Sequence, residues 1–194
     1  MIPHLLFFSL IATLATADPD LSKIHFFLWT RANPDAHQEV KLDLDSLLSS
    51  NLDPARPTVV LAHGWNSHGR GGRGYGDDFA PIYLEVGDYN IFSIDWGDLE
   101  TWANYPQAAA RTRPVGTHAA QLVALMVEAG ASLADVHLVG HSLGAHVAGF
   151  VAKEVQALGL GKVARVTGLD PAKPFFELAT EEGRIDKWDS VYYR

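Results

Sequence analysis

The sequence predicts an α/β protein with a mostly parallel central sheet and helices on both of its faces. Helix-like segments alternate between residues 58 and 170 with four apolar, strand-like runs, "TVVLAH", "YNIFSIDW", "DVHLVG" and "KVARVTGLD". This alternation is typical of βαβ units, in which helices join parallel strands and cover the sheet. The chain of 194 residues is long enough for one such domain with a buried core.

The remaining elements follow from shorter patterns. The strand-like "KIHFFLWT" and "HQEVKL" flank the turn-forming "RANPDA", which predicts an antiparallel hairpin at one edge of the sheet. Helices are predicted in "FAPIYLEV", "VGTHAAQLVALMVEAGA" and "LGAHVAGFVAKEVQALG", the last ending at Gly159. The glycine-rich "NSHGRGGRGYGDD" predicts a surface loop, with a flexible rim of a binding site as the alternative. Near the C-terminus, "SVYY" has strand character.

Residues 1–17, "MIPHLLFFSLIATLATA", have the pattern of a secretory signal peptide. Their apolar block is too short to remain as a membrane-spanning helix, and Ala15-Thr16-Ala17 has the small residues of a cleavage site. A buried N-terminal helix is the alternative. We therefore expect a secreted, extracellular protein with one domain at residues 18–194 and no transmembrane segment.

Composition excludes several classes of function. The net charge of −8 argues against a nucleic-acid partner, which requires a basic surface. The chain has no cysteine, which excludes a disulfide scaffold, a cysteine nucleophile and a zinc–thiolate site.

Ser142 is the candidate nucleophile. It lies in Gly140-His141-Ser142-Leu143-Gly144, between a predicted strand and a predicted helix. In that context Gly-x-Ser-x-Gly forms a sharp turn that exposes the serine Oγ above the sheet, and glycine allows the close approach of strand and helix. An incidental serine in a glycine-rich turn is the alternative.

A serine that attacks a carbonyl needs N–H donors for the developing oxyanion. The first candidate donor is the backbone N–H of Leu143, directly after the nucleophile. The second is the N–H of Trp65, in the loop that follows the strand of "VVLAHGW". His63 in the same loop is interpreted as a hydrogen-bonded turn residue.

The predicted acid is Asp170 in "VTGLDPA". It ends the strand after the serine helix, at the sheet edge where functional residues gather, and Pro171 keeps the backbone extended. An ordinary Asp-Pro turn is the alternative. Asp95 in "SIDW" also ends a strand, but it precedes the serine, against the Ser…Asp…His order of this architecture. Asp95 is therefore interpreted as a structural residue that fixes nearby loops.

These motifs resemble those of the pancreatic-lipase-like family of secreted lipases and phospholipases A1. The similarity is carried by "HGW", "IDW", "GHSLGAHVAG" and "GLDPAKPFF" in this order, by the opening "FFLWTRANPDAHQEV", and, for arthropod members, by "LGLGKVARVTGLDPA". It covers about residues 24–176.

The resemblance implies that residues 18–194 are a partial α/β-hydrolase lipase domain. It implies hydrolysis of acyl esters of lipids, as a triacylglycerol lipase or phospholipase A1, at a lipid–water interface. It assigns the nucleophile to Ser142, the acid to Asp170 and the oxyanion hole to Trp65 and Leu143. No metal or cofactor is expected.

The family order places the catalytic histidine after the acid, but all nine histidines precede Asp170. His141 adjoins the serine, where neighbouring side chains point apart, and His146 is expected to pack inward with hydrogen bonds. His137 and His141 lack a third ligand at metal-binding spacing.

The resemblance places "DSVYYR" at the start of a further strand, ahead of the family's lid, its disulfides and the catalytic histidine. We therefore expect the histidine, the lid and the last strands of the sheet to lie beyond Arg194. One alternative is a non-catalytic, truncated or lipid-binding and storage homologue. Another is a partner chain that supplies the histidine.

Overall fold

The structure is a computed structural model that describes residues 18–69, 74–99 and 103–193. Its strands are β1 (His25–Trp29), β2 (Gln38–Val40), β3 (Thr58–Ala62), β4 (Asn90–Asp95), β5 (Val136–His141), β6 (Arg165–Leu169) and β7 (Tyr192–Tyr193). Its helices are α1 (Leu44–Leu48), α2 (Tyr75–Val86), α3 (Tyr105–Glu128) and α4 (Leu143–Ala157). The predicted signal peptide at residues 1–17 and residues 70–73 of the glycine-rich loop lie outside the described residues.

The strands form a seven-stranded sheet in the order β2-β1-β4-β3-β5-β6-β7. Going across the sheet, β4 and β3, β3 and β5, β5 and β6, and β6 and β7 all pair parallel. β1 pairs antiparallel with both β2 and β4. The predicted mostly parallel sheet, with an antiparallel hairpin at one edge, is therefore confirmed. The carboxyl ends of β3, β5 and β6 lie side by side, so the loops that follow them meet at one edge of the sheet.

The two faces of the sheet bury separate apolar cores. Because side chains alternate along a strand, Phe26 and Leu28 face the core covered by α3 and α4, whereas Phe27 and Trp29 face the core under α2. The same alternation continues in β3, β4 and β5. Helices therefore cover both faces, as the sequence predicts.

Two predicted helix starts are wrong. α2 begins at Tyr75 rather than Phe79, because Asp77 and Asp78 in its first turn favour the helix N-terminus. α3 begins at Tyr105 rather than at Val115, where the predicted helix starts. The Asn104 side chain caps α3 by accepting a hydrogen bond from the Gln107 N–H at 3.1 Å, and the helix continues through Pro114.

Within the described residues, no helix combines the length and the apolar character that crossing a bilayer requires.

Candidate active site

Ser142 is the single residue between the end of β5 and the start of α4. Its backbone has φ 55° and ψ −118°, a region that residues with a side chain rarely occupy and that costs about 1–3 kcal/mol. Serine at a helix N-cap usually accepts a hydrogen bond from the first turn, but the Ser142 side chain makes no such bond. Its hydroxyl is therefore not committed to capping α4.

The sharp turn depends on the glycines on either side of the serine. A β-carbon on Gly140 would lie 2.0 Å from the carbonyl oxygen of Gly144. A β-carbon on Gly144 would lie 2.2 Å from the carbonyl oxygen of Ala62, at the end of β3. No larger residue fits either position, and this explains why the sequence pattern requires glycine there.

Asp170 lies directly beside this turn. The Ser142 N–H donates to the Leu169 carbonyl at 3.0 Å, and the Ala172 N–H donates to the Ser142 carbonyl at 3.2 Å. The residues on either side of the Asp170–Pro171 pair are thus both bonded to the serine backbone. Asp170 itself is exposed and has φ 45°, in the left-handed region. The expectation that Pro171 keeps the backbone extended at the aspartate is therefore wrong, because the hydrogen bonds of Leu169 and Ala172 to Ser142 set a tight turn there.

The loop after β3 also passes next to the serine. A β-carbon on Gly64 would lie 3.0 Å from the Ser142 Cβ, so the two backbones are almost in contact. Buried His63 donates from Nδ1 to the Gly64 carbonyl at 2.8 Å and accepts the Trp96 N–H at Nε2 at 3.1 Å. That carbonyl shares a peptide group with the Trp65 N–H, and in a trans peptide the two point in opposite directions. His63 therefore fixes the direction of the Trp65 N–H.

The two candidate oxyanion donors are available for a ligand. Across residues 18–69, 74–99 and 103–193, neither the Trp65 N–H nor the Leu143 N–H has a hydrogen-bond partner. Both flank Ser142, one from the adjacent loop and one from the first residue of α4. Two preorganised N–H groups beside a nucleophile are the arrangement that stabilises a developing oxyanion. The assignment of these roles stays a prediction.

Asp95, the rival acid, lies under the loop that contains His63. Its Oδ1 accepts the Gly97 N–H at 3.2 Å and lies 3.5 Å from His63 Nε2. Burial raises the pKa of this carboxyl, but interactions with His63 and with the Gly69 and Gly97 N–H groups lower the pKa to about 2. Asp95 is therefore ionised at neutral pH. The groups around it belong to the loops at His63, Gly69 and Gly97.

The three histidines closest to the serine in sequence have other contacts. Exposed His141 stacks on Tyr75 with ring centroids 6.5 Å apart, and His137 Nε2 lies 2.8 Å from Thr167 Oγ1. His146 packs inward, as we predicted, and both of its ring nitrogens are hydrogen-bonded. In the ranges that the structure describes, none of the three hydrogen-bonds to Ser142, and no group of three or more histidines and carboxylates could hold a metal ion.

An aromatic row that we did not predict lies beside the serine. The Trp65 ring contacts Tyr105 edge-on at 5.1 Å, and Tyr105 lies 6.0 Å from Phe175 in a stacked arrangement. Nearby, Phe175 is 37% exposed and Leu178 is 78% exposed. These residues come from two separate loops and one helix start, so no local sequence pattern groups them. The Asn104 cap was the one available signal, since it places Tyr105 at the start of α3.

Comparisons with known proteins agree with the sequence motifs. The family model described as "Lipase" matches residues 9–193. The pancreatic triacylglycerol lipase of Mus musculus is 37% identical over 169 residues, which are 86% of this chain and 35% of that protein. Lipase member H-A of Xenopus laevis is 36% identical over 170 residues, which are 88% of this chain and 36% of that protein.

A third relative, named inactive pancreatic lipase-related protein 1, of Mus musculus, is 36% identical over 176 residues, which are 90% of this chain and 36% of that protein. The chain thus spans about a third of the length of the curated relatives it matches. The strand–serine–helix turn lies on a mostly parallel sheet with helices on both faces, which is the α/β-hydrolase fold. With the family model matching nearly all of its residues, the chain belongs to the lipase family.

Proposed function

We propose that this chain supplies the nucleophile, the acid and the oxyanion donors of a secreted hydrolase that cleaves acyl esters of lipids, as a triacylglycerol lipase or a phospholipase A1. One observation carries the proposal. The strained Ser142 is hydrogen-bonded through its backbone to both sides of the Asp170 turn, so nucleophile and acid are held together. Membership of the lipase family supports lipid esters as the substrate class.

The proposed reaction follows the serine–histidine–aspartate scheme. Ser142 Oγ attacks the ester carbonyl carbon while a histidine takes the hydroxyl proton, and Asp170 orients that histidine. The N–H groups of Trp65 and Leu143 bind the oxyanion. The ester C–O bond then breaks, and the histidine returns the proton to the leaving alcohol. Water, activated by the same histidine, releases the fatty acid from the serine.

We propose that this histidine comes from outside residues 1–194. No histidine follows Asp170 in the sequence, and the rings of His137 and His146 are held by other contacts. Loss of one triad member lowers the rate by about 10⁴–10⁶-fold. Residues 1–194 by themselves are therefore expected to react slowly.

The aromatic row fits the acyl chain of the substrate. Trp65, Tyr105 and Phe175 form an apolar surface that starts at the proposed oxyanion hole. Apolar and aromatic side chains with a few placed polar groups are typical of small-molecule sites. Exposed Leu178, in the loop that also carries Phe175, would contact a lipid–water interface.

Covalent labelling tests this proposal without requiring turnover. A long-chain alkyl p-nitrophenyl phosphonate ester should form a bond from its phosphorus to Ser142 Oγ and release p-nitrophenolate. We expect mass spectrometry of the peptides to locate the label on Ser142, and we expect Ser142→Ala to remain unlabelled. Ser49→Ala, which removes an exposed hydroxyl with one local hydrogen bond, is the matched control and should label like the original chain.

The second candidate is a non-catalytic lipid-binding homologue, favoured by the histidine pattern and by a relative whose name includes "inactive". It predicts binding of the alkyl phosphonate without a bond to Ser142. Equal labelling of the Ser142→Ala variant, or no label after prolonged incubation, would contradict the hydrolase proposal.

A further inference from the structure

We propose that His146 is a positioning residue that holds the peptide following Asp170 against the Ser142 turn. The inference rests on the proposed roles of Ser142 and Asp170. His146 touches neither of them through a hydrogen bond, and it acts through the backbone of Ala172.

Ala172 connects the histidine to the serine. The His146 Nε2–H donates to the Ala172 carbonyl at 2.8 Å, while the Ala172 N–H donates to the Ser142 carbonyl at 3.2 Å. Both polar groups of one residue are thus bound to the first turn of α4 and the serine before it. Since Leu169 is also bonded to Ser142, the short segment that contains Asp170 is fixed at both ends.

The second ring nitrogen of His146 fixes the ring itself. Nδ1 accepts the Ile185 N–H at 3.2 Å, and the ring stacks on Phe176 with centroids 3.6 Å apart and planes 9° apart. The side chain is 2% exposed, so neither ring nitrogen has water as a substitute partner. One donor and one acceptor require the neutral imidazole with its proton on Nε2. Burial lowers the pKa of His146 to about 4, outweighing the Ala172 hydrogen bond, with nearby Arg184 lowering it further.

Loss of the His146 donor would leave the partly buried Ala172 carbonyl without its partner. An unsatisfied carbonyl favours rearrangement of the peptide toward another donor. Asp170 has a left-handed backbone that persists only when its surroundings hold it. The expected consequence is a relaxed acid turn and an Asp170 carboxyl that no longer faces the proposed histidine.

Two substitutions separate the two hydrogen bonds of the ring. His146→Gln places an amide donor near the position of Nε2 and keeps the Ala172 contact. His146→Asn places an amide oxygen near the position of Nδ1 and keeps the Ile185 contact instead. Both variants lose the ring and its stacking on Phe176, so a comparison between them cancels that shared loss.

Hydrogen exchange of single amides reads out the positioning directly. In His146→Asn we expect the Ser142 and Ala172 amides to exchange about tenfold or more faster than in His146→Gln, because a lost hydrogen bond makes local opening easier. Amides of β3 and β4 should exchange alike in both variants. Equal exchange at Ser142 and Ala172, or a uniform acceleration over the whole sheet, would show that His146 only stabilises the core.

Imidazole nitrogen shifts of the unsubstituted chain test the same geometry without any variant. With ¹⁵N-labelled histidine at pH 7, His146 should give the signals of a neutral ring protonated at Nε2. A ring protonated at Nδ1, or a charged ring, would overturn the proposal because neither can donate to Ala172 while accepting from Ile185.

The rate of phosphonate labelling tests whether the His146 hydrogen bond affects the reactivity of Ser142. If Ser142 is labelled at all, His146→Gln should label at a rate close to that of the original chain and His146→Asn at least about tenfold more slowly. Absence of Ser142 labelling in the original chain would contradict the proposed function alone. The exchange experiment and the nitrogen shifts would still decide the role of His146.

Discussion

Ser142 illustrates how a strained residue is maintained by what surrounds it. Its positive φ costs free energy, and three backbone hydrogen bonds hold it in place: its N–H donates to Leu169, and its carbonyl accepts from Ala172 and Ala145. The glycines on either side allow β3, β5 and α4 to approach closely enough for those bonds to form. The strain at one residue is therefore balanced by contacts that the sequence motif makes possible.

Gly144→Ala should destabilise the protein by about 3 kcal/mol or more, because the added methyl group would overlap two backbone carbonyls that cannot move freely. Urea denaturation followed by circular dichroism measures the change. The matched control is Gly159→Ala, which meets nothing within 4 Å but has φ 75°, and should lose only about 1 kcal/mol. Equal losses in the two variants would contradict the close packing described for the turn.

At the residue scale, sequence patterns identify what lies within one motif. Ser142, Asp170, Leu143 and Trp65 each belong to a short string with fixed spacing, and the structure brings the four to one place. The partners of His146 could not be identified in this way. Ala172 and Ile185 lie far along the chain from it and bind through backbone groups that every residue type possesses.

Helix α4 connects the proposed active site to the segment that precedes β7. One side of the helix carries His146, Gly149 and Lys153, spaced at three and four residues so that they share a face. Gly149 lets the chain at Ile185 approach, since a β-carbon there would lie 2.7 Å from the Ile185 Cα. Farther along, Lys153 forms a largely buried ion pair with Asp189, which also accepts the Asp186 N–H at 2.7 Å.

Lys153→Met should destabilise the protein by about 3–5 kcal/mol at pH 7, because it leaves the Asp189 carboxylate buried without its cation. Burial raises the pKa of Asp189, and Lys153 opposes that rise. In the variant the folded state therefore takes up a proton at higher pH than the unfolded state, so the deficit should shrink as the pH falls from 7 to 5.

Urea denaturation of the original chain and the variant at both pH values measures this. Lys173→Met removes an exposed lysine and is the matched control, for which we expect a small and pH-independent change. If the loss of stability in Lys153→Met became larger as the pH fell, the buried ion pair could not be its cause.

The sequence predicts the central strands well and the start of α3 poorly. Apolar runs identify β3, β4 and β5 because these strands are largely buried on both faces and their composition shows it. The start of α3 was missed because Asn104, Pro106 and Pro114 are residues common in loops, whereas the Asn104 cap and the packing of α3 on α4 make that segment helical. Gly116 permits this packing, since a β-carbon there would lie 2.5 Å from the Phe150 Cβ.

At the scale of the whole molecule, buried histidines set the response to acid. Burial lowers the pKa of both His137 and His146 to about 4, the former with help from the charge of Arg165. Between pH 6.5 and pH 4 the unfolded chain binds protons at these residues and the folded protein does not. Stability should therefore fall as the pH falls through this range, by up to about 3 kcal/mol for His146 alone.

The free energy of unfolding in urea at half-unit steps from pH 7 to pH 4.5 measures this slope. His137→Gln and His146→Gln should each flatten it. His68→Gln, which changes an exposed histidine, should leave the slope as it is. A stability that stays constant down to pH 4.5 in the original chain would contradict the neutral, buried state of both rings.

The backbone hydrogen bonds between Ser142 and the segment that contains Asp170 also have a consequence for the order of folding. β5 and α4 are neighbours in sequence and make many of their contacts locally. The serine N–H, however, is bonded to Leu169 at the end of β6, and the serine carbonyl accepts from Ala172 just after β6 as well as from Ala145 in α4. The serine backbone is fully held only once β6 has joined β5. Ser142 is therefore a natural reporter of that docking event, and its reactivity during refolding would mark the moment at which this half of the sheet is complete.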